Sequence, residues 1–539
     1  MKLKLLIMNK LLNLILKIST LILIITLWNG CENEINFKLN ENSLIFSKDT
    51  VYLDTVFTNI GSSTYNLKVY NNSNENILIP EIKLSNGENS YYRLNIDGIY
   101  NQNNDNGKRF ENIELLANDS LYVFIETTID IGELNSSQNS FIYNDKIEFL
   151  NLNNTQKVEL VTLVKDAVFI YPNREEINQE YIYETLSIDF NGDGINEETN
   201  IRGRFLNDQE LNFTNEKPYV IYGYAAVNNG SELTIQKGSR VHFHENSGLI
   251  ITNGGSIKTY GELSTDQESM ENEVVFEGDR LEPSFENIPG QWGAIWLLEG
   301  SQNNEFNYST IKNATIGIYT NDNLNNQGVQ LTLNNTKILN SSNFGVLARS
   351  SSVFAKNTII NKSGQSSFAA TYGGNYELNH CIISNYWNFG VRQYPSLLLN
   401  NFFIDNEENE FINESFNFSM SNSIVTGNQN IEFLIEQLGD SNLDFNFYNT
   451  SLKFNDVSDY FSGNENYNFS NTNIYENMFN NFDPGFINPF ENDLRINQYS
   501  ELIGLGNYEY AQSAPFDILG YNRLDSPDLG AYQHVIIED

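Results

Sequence analysis

A short phrase returns throughout the second half of this 539-residue chain: one or two aliphatic residues followed closely by asparagine. It reads Ile311-Lys-Asn313, Ile338-Leu-Asn340, Ile359-Ile-Asn361, Ile383-Ser-Asn385, Ile404-Asp-Asn406 and Val425-Thr-Gly-Asn428, with asparagine-to-asparagine steps of 27, 21, 24, 21 and 22 residues. Several copies are followed by similar phrases: Ile316-Gly-Ile, Phe344-Gly-Val, Phe368-Ala-Ala and Phe389-Gly-Val. A unit of this length made of short β runs cannot bury its apolar face alone, so neighbouring units must stack. Coiling lets each strand pair in parallel with the strands one turn above and below, and inward positions then form aliphatic columns. Asparagine suits the bends because it visits the left-handed region at low cost, and stacked amides can hydrogen-bond as a ladder. Leucine-rich repeats share the period, but their leucine spacing is missing, and propeller blades need about 40 residues. The pattern predicts a right-handed parallel β-helix over 219–480. Residues 233–455 would supply about ten turns, on the order of 48 Å at one strand spacing per turn.

The first half reads differently. Between 31 and 167 short alternating runs such as Thr50–Phe57, Tyr65–Tyr70, Ser120–Glu126 and Lys157–Val164 are broken by Asn/Ser/Gly clusters. Strands at this spacing predict an antiparallel β-sandwich. Residues 168–218 form an acidic, asparagine-rich connector. The fold class expected is therefore all-β: a sandwich, then a parallel coil, with 481–539 closing the coil's end, since open ends are sticky edges.

Composition bounds the partners. Against 31 Lys+Arg stand 69 Asp+Glu, a net charge of −38, which repels phosphate backbones and argues against nucleic-acid binding. Hydrophobic residues at 40% and aromatics at 13% are too many for a disordered chain. Lys2, Lys4, Lys10 and Lys17 precede an apolar run, Ile18–Trp28, that is too short to span a bilayer. The junction Trp28-Asn29-Gly30-Cys31 resembles a lipoprotein signal, with Trp28 standing where an aliphatic residue is usual. The resemblance implies removal of 1–30, lipidation of Cys31 and a membrane anchor. Glu32 and Glu34 are similar to the acidic tag of Bacteroidetes lipoproteins held on the outer membrane and facing the exterior. With Cys31 acylated, only Cys381 remains, so no intrachain disulfide can form.

Three further stretches carry resemblances. Phe57-Thr-Asn-Ile-Gly61, Leu67-Lys-Val-Tyr-Asn71 and Leu115-Leu-Ala-Asn-Asp119 resemble immunoglobulin-like modules of the ASPM/SPD-2/Hydin type. Such modules space or dock. The series Asp483-Pro-Gly-Phe486, Asn492-Asp-Leu-Arg-Ile496, Leu502-Ile-Gly-Leu-Gly506, Leu519-Gly-Tyr-Asn-Arg523 and Pro527-Asp-Leu-Gly-Ala-Tyr-Gln533 resembles the C-terminal cap of Bacteroidetes secreted β-helix proteins of the pectin-lyase-like group. Pro289-Gly-Gln-Trp-Gly-Ala-Ile-Trp296 is similar to a rung motif found there. That resemblance spans roughly 219–535 and implies the fold, while lyases, hydrolases and non-enzymes share such a scaffold.

Candidate chemistry is sparse. Asp189, Asn191, Asp193 and Glu197, with Gly194 at the sharp turn and the Ile195 carbonyl, follow the spacing of a calcium loop. Asn200 stands where a bidentate glutamate is needed, so a shallow calcium turn fits better than a helix-flanked hand. His242 and His244 should share one side of a strand whose Val241 and Phe243 point inward. They read as exposed polar residues, or as a zinc pair if another turn adds a ligand. Trp292 and Trp296 are either a sugar platform or packing residues, and the rung motif implies packing for at least one.

Window 301–400 holds only Glu305, Asp322 and Glu377 as acids, where 69 acids in 539 residues would place about 13. That disfavours a carboxylate-pair hydrolase. Lys312, Lys337, Arg349, Lys356, Lys362 and Arg392 make the same window basic. Aligning the Phe-Gly-Val phrases puts Tyr319, Arg349, Thr371, Arg392 and Tyr394 outward on neighbouring turns. Arginine grips carboxylates and sulfates through two parallel bonds, and aromatic faces complement sugar rings. The expected function is non-catalytic binding of an anionic glycan or a surface partner. A lyase acting on uronic-acid polymers and a purely structural envelope protein are the alternatives.

Overall fold

The computed structural model describes residues 36–41, 43–100, 106–130, 140–178, 180–190, 193–321, 328–404, 409–412, 415–439 and 443–535, with 12, 14–20 and 132 as small pieces. Cys31, Asn191 and Asn406 lie outside them. The protein is all-β, and it divides into two compact units. One comprises Met1–Leu53, Asn59–Asp130 and Ile142–Leu163; the other comprises Asp54–Thr58, Ile131–Phe141 and Val164–Asp539.

Period-two alternation organises the first unit. Tyr65–Asn71 buries Leu67 and Val69, and Asp119–Thr127 buries Leu121, Val123 and Ile125. These two strands pair antiparallel, with Ile45–Phe46 and Tyr92–Ile96 at their sides, in a four-stranded sheet. A six-stranded sheet runs Lys38–Leu39, Ile77–Leu84, Ser140–Leu150, Thr155–Lys165 and Thr50–Phe57, with Arg109–Leu115 also paired to Ile77–Leu84.

Parallel pairing dominates the second unit. An 11-stranded sheet runs in chain order through Val168–Ile170, Tyr219–Ile221, Arg240–Phe243, Val274–Gly278, Ser309–Lys312, Lys337–Ser341, Ile359–Ser363, Ile382–Asn385, Ile424–Gly427, Ser451–Leu452 and Phe479–Asn480. Every one of these neighbours is parallel. The intervening strands form an 18-stranded sheet, so the chain alternates between two sheets as it advances. Inward residues stack in columns: Val241, Phe276, Ile311, Ile338, Ile360, Ile383 and Val425 are all essentially inaccessible and belong to one apolar core. Because this sheet begins at Val168, residues 168–218 are built into the parallel unit and are not a separate connector.

Asparagines mark the corners, though not quite where the repeat phrase places them. From strand Asn304–Asn307 onward, each passage from the large sheet into the 11-stranded sheet turns on a left-handed residue: Tyr308 (φ 40°), Asn335 (49°), Asn357 (47°), His380 (51°), Asn422 (46°), Asn449 (45°) and Asn477 (55°). At the strands' far ends Asn313 and Asn340 superpose, joined amide to amide at 3.2 Å. The next residue in that column is Lys362 (φ 58°), because Asn361 pairs with Leu339. The Ile404 phrase is no turn of the stack. Phe402–Ile404 pairs antiparallel with Glu410–Ile412, while Ile382–Asn385 pairs directly with Ile424–Gly427.

The C-terminal series also differs from an end cap. Leu494, Leu502, Ile518, Leu529 and Ala531 pack on Ile359, Ile382 and Ile424, which are outward residues of the 11-stranded sheet. Side-chain amides tie this cover down, with Asn361 donating to the Pro489 carbonyl and Asn379 to that of Tyr510, each at 2.9 Å. The last strands of the core are met instead by an aromatic cluster: Phe454 and Phe461 lie 5.0 and 4.5 Å from Tyr467, and Phe469 lies 4.8 Å from Tyr475.

Candidate functional site

The outward face of the large sheet is set by strand Val346–Lys356. Val346, Ala348, Val353 and Ala355 face the core, leaving Leu347, Arg349, Ser352, Phe354 and Lys356 on the other side. Alternation breaks at Ser350 (φ 50°) and at Tyr372 (φ 54°) in the next strand, Phe368–Asn379, where the register shifts. The face therefore has two stretches separated by a bend.

On the first stretch Arg349 pairs with Thr371, whose hydroxyl donates to the Ala348 carbonyl at 3.2 Å. Tyr319 sits one strand earlier, opposite Leu347, with its ring stacked on Trp296 at 5.4 Å. The Arg349 guanidinium lies 3.7 Å over the Phe403 ring and 5.5 Å from that of Tyr372. Such a bed holds the flat cation in place without neutralising it. Among the described residues Arg349 forms no ion pair, although the chain carries a net charge of −38. Tyr319, Arg349 and Thr371 are thus brought together on one face.

Arg392 and Tyr394 do not join them. Phe389-Gly-Val391 lies outside any strand, Val391 is 94% exposed, and Leu397 takes the place in register opposite Phe368. Arg392 turns inward, where its side chain is 2% exposed and meets Glu432 at 2.6 Å. Its guanidinium also donates to the Tyr394 carbonyl at 2.8 Å, so Tyr394 contributes backbone to a buried knot.

The second stretch holds a groove of about 330 Å³ that includes Ser352, Phe354, Asn375, Glu377, Asn417 and Asp444 in its lining. The register aligns Phe354, Glu377, Ser419 and Asn446 in one row, and Ser352, Asn375, Asn417 and Asp444 in the next. Asn417 donates to Asn375 at 2.9 Å. Amide and hydroxyl groups repeating at the strand spacing suit a chain of hydroxylated rings. Glu377 and Asp444 make this stretch unsuited to acidic ones. The repeat phrase did not reveal these residues, but polar-apolar alternation in Asn375-Tyr-Glu-Leu and Asn417-Phe-Ser-Met carried the signal. Phe403 was invisible because an inserted hairpin delivers it.

The remaining candidates divide. The calcium-loop spacing falls in the turn of an antiparallel hairpin between Thr185–Ile188 and Glu197–Phe205. Asp189 accepts from the Gly194 amide at 2.9 Å and Asp193 from the Ile195 amide at 2.7 Å. Ile195 is exposed and Glu197 pairs with Ile188 at the start of the returning strand. Among the described residues no group of three His, Cys, Asp or Glu is placed to hold a metal. His242 is buried, not exposed, 3.6 Å from Glu277, which in turn meets Lys312 at 2.8 Å. Burial lowers its pKa and favours the neutral ring. His244 lies beyond the strand end, stacked on Tyr222 at 4.3 Å and 2.8 Å from Asp279, so the two imidazoles have separate partners. Trp292 is core, stacked on Phe243 at 4.2 Å with its indole N–H donating to the Lys312 carbonyl. Trp296 is outward. Among the described residues no helix is long and apolar enough to cross a membrane.

Neither a protein-family model nor a curated protein sequence matches the chain. Solved structures give partial likenesses. A family 123 glycoside hydrolase from Clostridium perfringens shares 9% identity over 24% of this chain and 30% of its own, at a TM-score of 0.16. The human CEP192 PapD-like domain 7 shares 10% over 26% of this chain and 94% of its own, at 0.15. The E. coli chaperone DraB shares 11% over 28% of this chain and 82% of its own, also at 0.15. The chain thus spans under a third of the glycoside hydrolase's length.

Proposed function

We propose that this protein is a lipoprotein of the outer membrane, anchored at Cys31, that binds a glycan on the outward face of its large sheet without cleaving it. In this reading the first unit is an immunoglobulin-like sandwich of the kind that spaces or docks. The second winds as a right-handed parallel β-helix of about ten turns, for which its all-parallel 11-stranded sheet is the support. Calcium in the Asp189–Glu197 turn, held by carboxylates and the Ile195 carbonyl, would stiffen that hairpin.

One observation carries the binding reading: the Arg349 guanidinium, bedded on Phe403 at 3.7 Å and without an ion pair among the described residues. A cation that no described carboxylate pairs with, in so acidic a chain, is suited to a carboxylate or sulfate brought by a ligand. Neutral rings of the same glycan would continue into the groove lined by Asn375 and Asn417.

Catalysis is not part of the proposal, because the two arginines considered for a lyase are split and Arg392 is occupied by Glu432. Native gels cast with pectate or with a neutral glucan test the reading. Retardation in pectate, relieved by Arg349→Ala, is expected. Equal mobility of both forms contradicts it. Absorbance from an unsaturated uronate product, abolished by Arg349→Ala, would make the protein a lyase instead.

A further inference from the structure

A second cavity, of about 470 Å³, is lined by Tyr171, Pro172, Arg174, Tyr183, Arg202 and Tyr222 and shares no residue with the Arg349 face. One wall follows from the parallel register. Ile170, Ile221 and Phe243 are paired in successive strands, so the residues that follow them, Tyr171, Tyr222 and His244, stack at the strand ends. Their rings confirm the ladder: Tyr171 and Tyr222 are 5.0 Å apart, Tyr222 and His244 4.3 Å. Burial raises the pKa of both tyrosines, so their phenols stay uncharged across the neutral range.

The opposite side is cationic. Arg174 and Tyr183 are partners in the hairpin of Arg174–Ile177 with Glu180–Tyr183. The Arg174 guanidinium lies 4.5 Å over Tyr181, and that of Arg202 lies 3.3 Å over Tyr183. Neither arginine forms an ion pair among the described residues. Of the carboxylates near the cavity, Glu184 accepts from the Asn173 amide, Asp279 lies 2.8 Å from His244, and Glu210 is paired with Arg204 at 2.6 Å. Arg204 also fixes the cavity rim by donating to the Tyr171 carbonyl at 2.8 Å.

Two exposed guanidiniums beside a ladder of aromatic rings fit a ring-shaped ligand that bears an anionic group. The rings take the apolar face of a sugar, and the guanidiniums take the anion through parallel N–H bonds. We infer that this cavity is a second glycan subsite, one that captures a sugar unit bearing a carboxylate or sulfate.

Titration calorimetry on the full chain tests the inference with three probes: trigalacturonate, a sulfated carrageenan tetrasaccharide and maltotriose. One or both anionic probes should bind, which tells carboxylate from sulfate, and maltotriose should not bind at this site. Arg202→Gln and Arg174→Gln should each weaken the anionic probe at least about tenfold, and Tyr171→Ala should weaken it too. Both arginines are exposed, and an unchanged thermal melt shows that each variant is folded. Arg349→Gln should leave this binding intact. An anionic-probe isotherm left unchanged by both cavity substitutions, matched by maltotriose, abolished by Arg349→Gln alone, or absent for both anionic probes overturns the inference. Loss through the cavity variants alone would support it and count against the Arg349 reading.

Discussion

Arg392 and Glu432 form an ion pair sealed inside the protein, their side chains 2% and 0% exposed. Nη2 lies 2.6 Å from Oε1, and Nη1 donates to Oε2 at 2.8 Å. The carboxylate also accepts from the backbone and hydroxyl of Ser396 at 2.9 and 2.7 Å and from the Gln429 amide at 2.8 Å. The knot ties 386–396, a segment with no place in either large sheet, to the start of strand Phe433–Glu436. Removing one partner leaves the other charged and dry. Arg392→Ala should therefore cost about 3–5 kcal/mol in urea unfolding. A loss below about 1 kcal/mol, typical of an exposed pair, would contradict this placement.

Gly345 is demanded by close approach. A Cβ there would stand 2.3 Å from Ile360 Cγ2 and 2.5 Å from the Ser367 carbonyl oxygen. Gly317, one strand earlier, meets the same crowding from Ile338 Cγ2 at 2.5 Å. Gly317 and Gly345 thus let neighbouring parallel strands come close. Gly345→Ala should lose about 1–3 kcal/mol of stability. The exposed Gly463, whose Cβ would meet nothing within 4 Å, is not crowded in this way. An unperturbed melt for Gly345→Ala would show that the turns are not so tightly stacked.

Two imidazoles should make the protein acid-sensitive. Burial pulls His380 well below its ordinary range and also lowers His242. His380 accepts from the Asn422 amide at Nε2 and donates to the Gly530 carbonyl from Nδ1, an arrangement that needs the neutral ring. Below about pH 6.5 the unfolded chain takes up protons that the folded chain refuses. Stability should fall as pH drops from there toward the folded values, by up to about 1.4 kcal/mol per pH unit for each ring. His380→Asn, which places the usual residue of this corner column, should flatten the slope between pH 7.5 and 5.5 in urea melts. An unchanged slope would mean that His380 is protonated in the folded state.

Calcium has a clean readout. Millimolar Ca²⁺ should raise the melting temperature of the wild-type chain, and Asp193→Asn should abolish the rise while leaving the metal-free melt nearly unchanged. No shift for the wild type, or an equal shift in Asp193→Asn, rules out calcium in the Asp189–Glu197 turn.

The all-β class was legible because period-two alternation and the asparagine repeat are local signals. Register was not. The phrases put Asn361 in line with Asn340, yet the strand pairs place Lys362 there. Likewise Phe389-Gly-Val391 matches the repeat in letters but lies in an inserted loop, which is why Arg392 was assigned to the surface. Insertions shift a repeat without altering its wording. The C-terminal series was misplaced for a related reason. Its leucines show that it covers something apolar, but only tertiary contacts show Ile359, Ile382 and Ile424 beneath it. Arg349 and Thr371 lie side by side because the parallel register from Val346 and Phe368 holds up to the bend at Ser350 and Tyr372.

Glycan-array retention of the intact protein, run beside Arg349→Ala and Arg392→Ala, tests the central claim most directly. The account predicts that wild type retains acidic glycans, that Arg349→Ala weakens that retention while keeping a wild-type melt, and that Arg392→Ala instead shows its defect in the melt. An array on which the wild type retains nothing, or retains the same glycans with and without the Arg349 guanidinium, would contradict it.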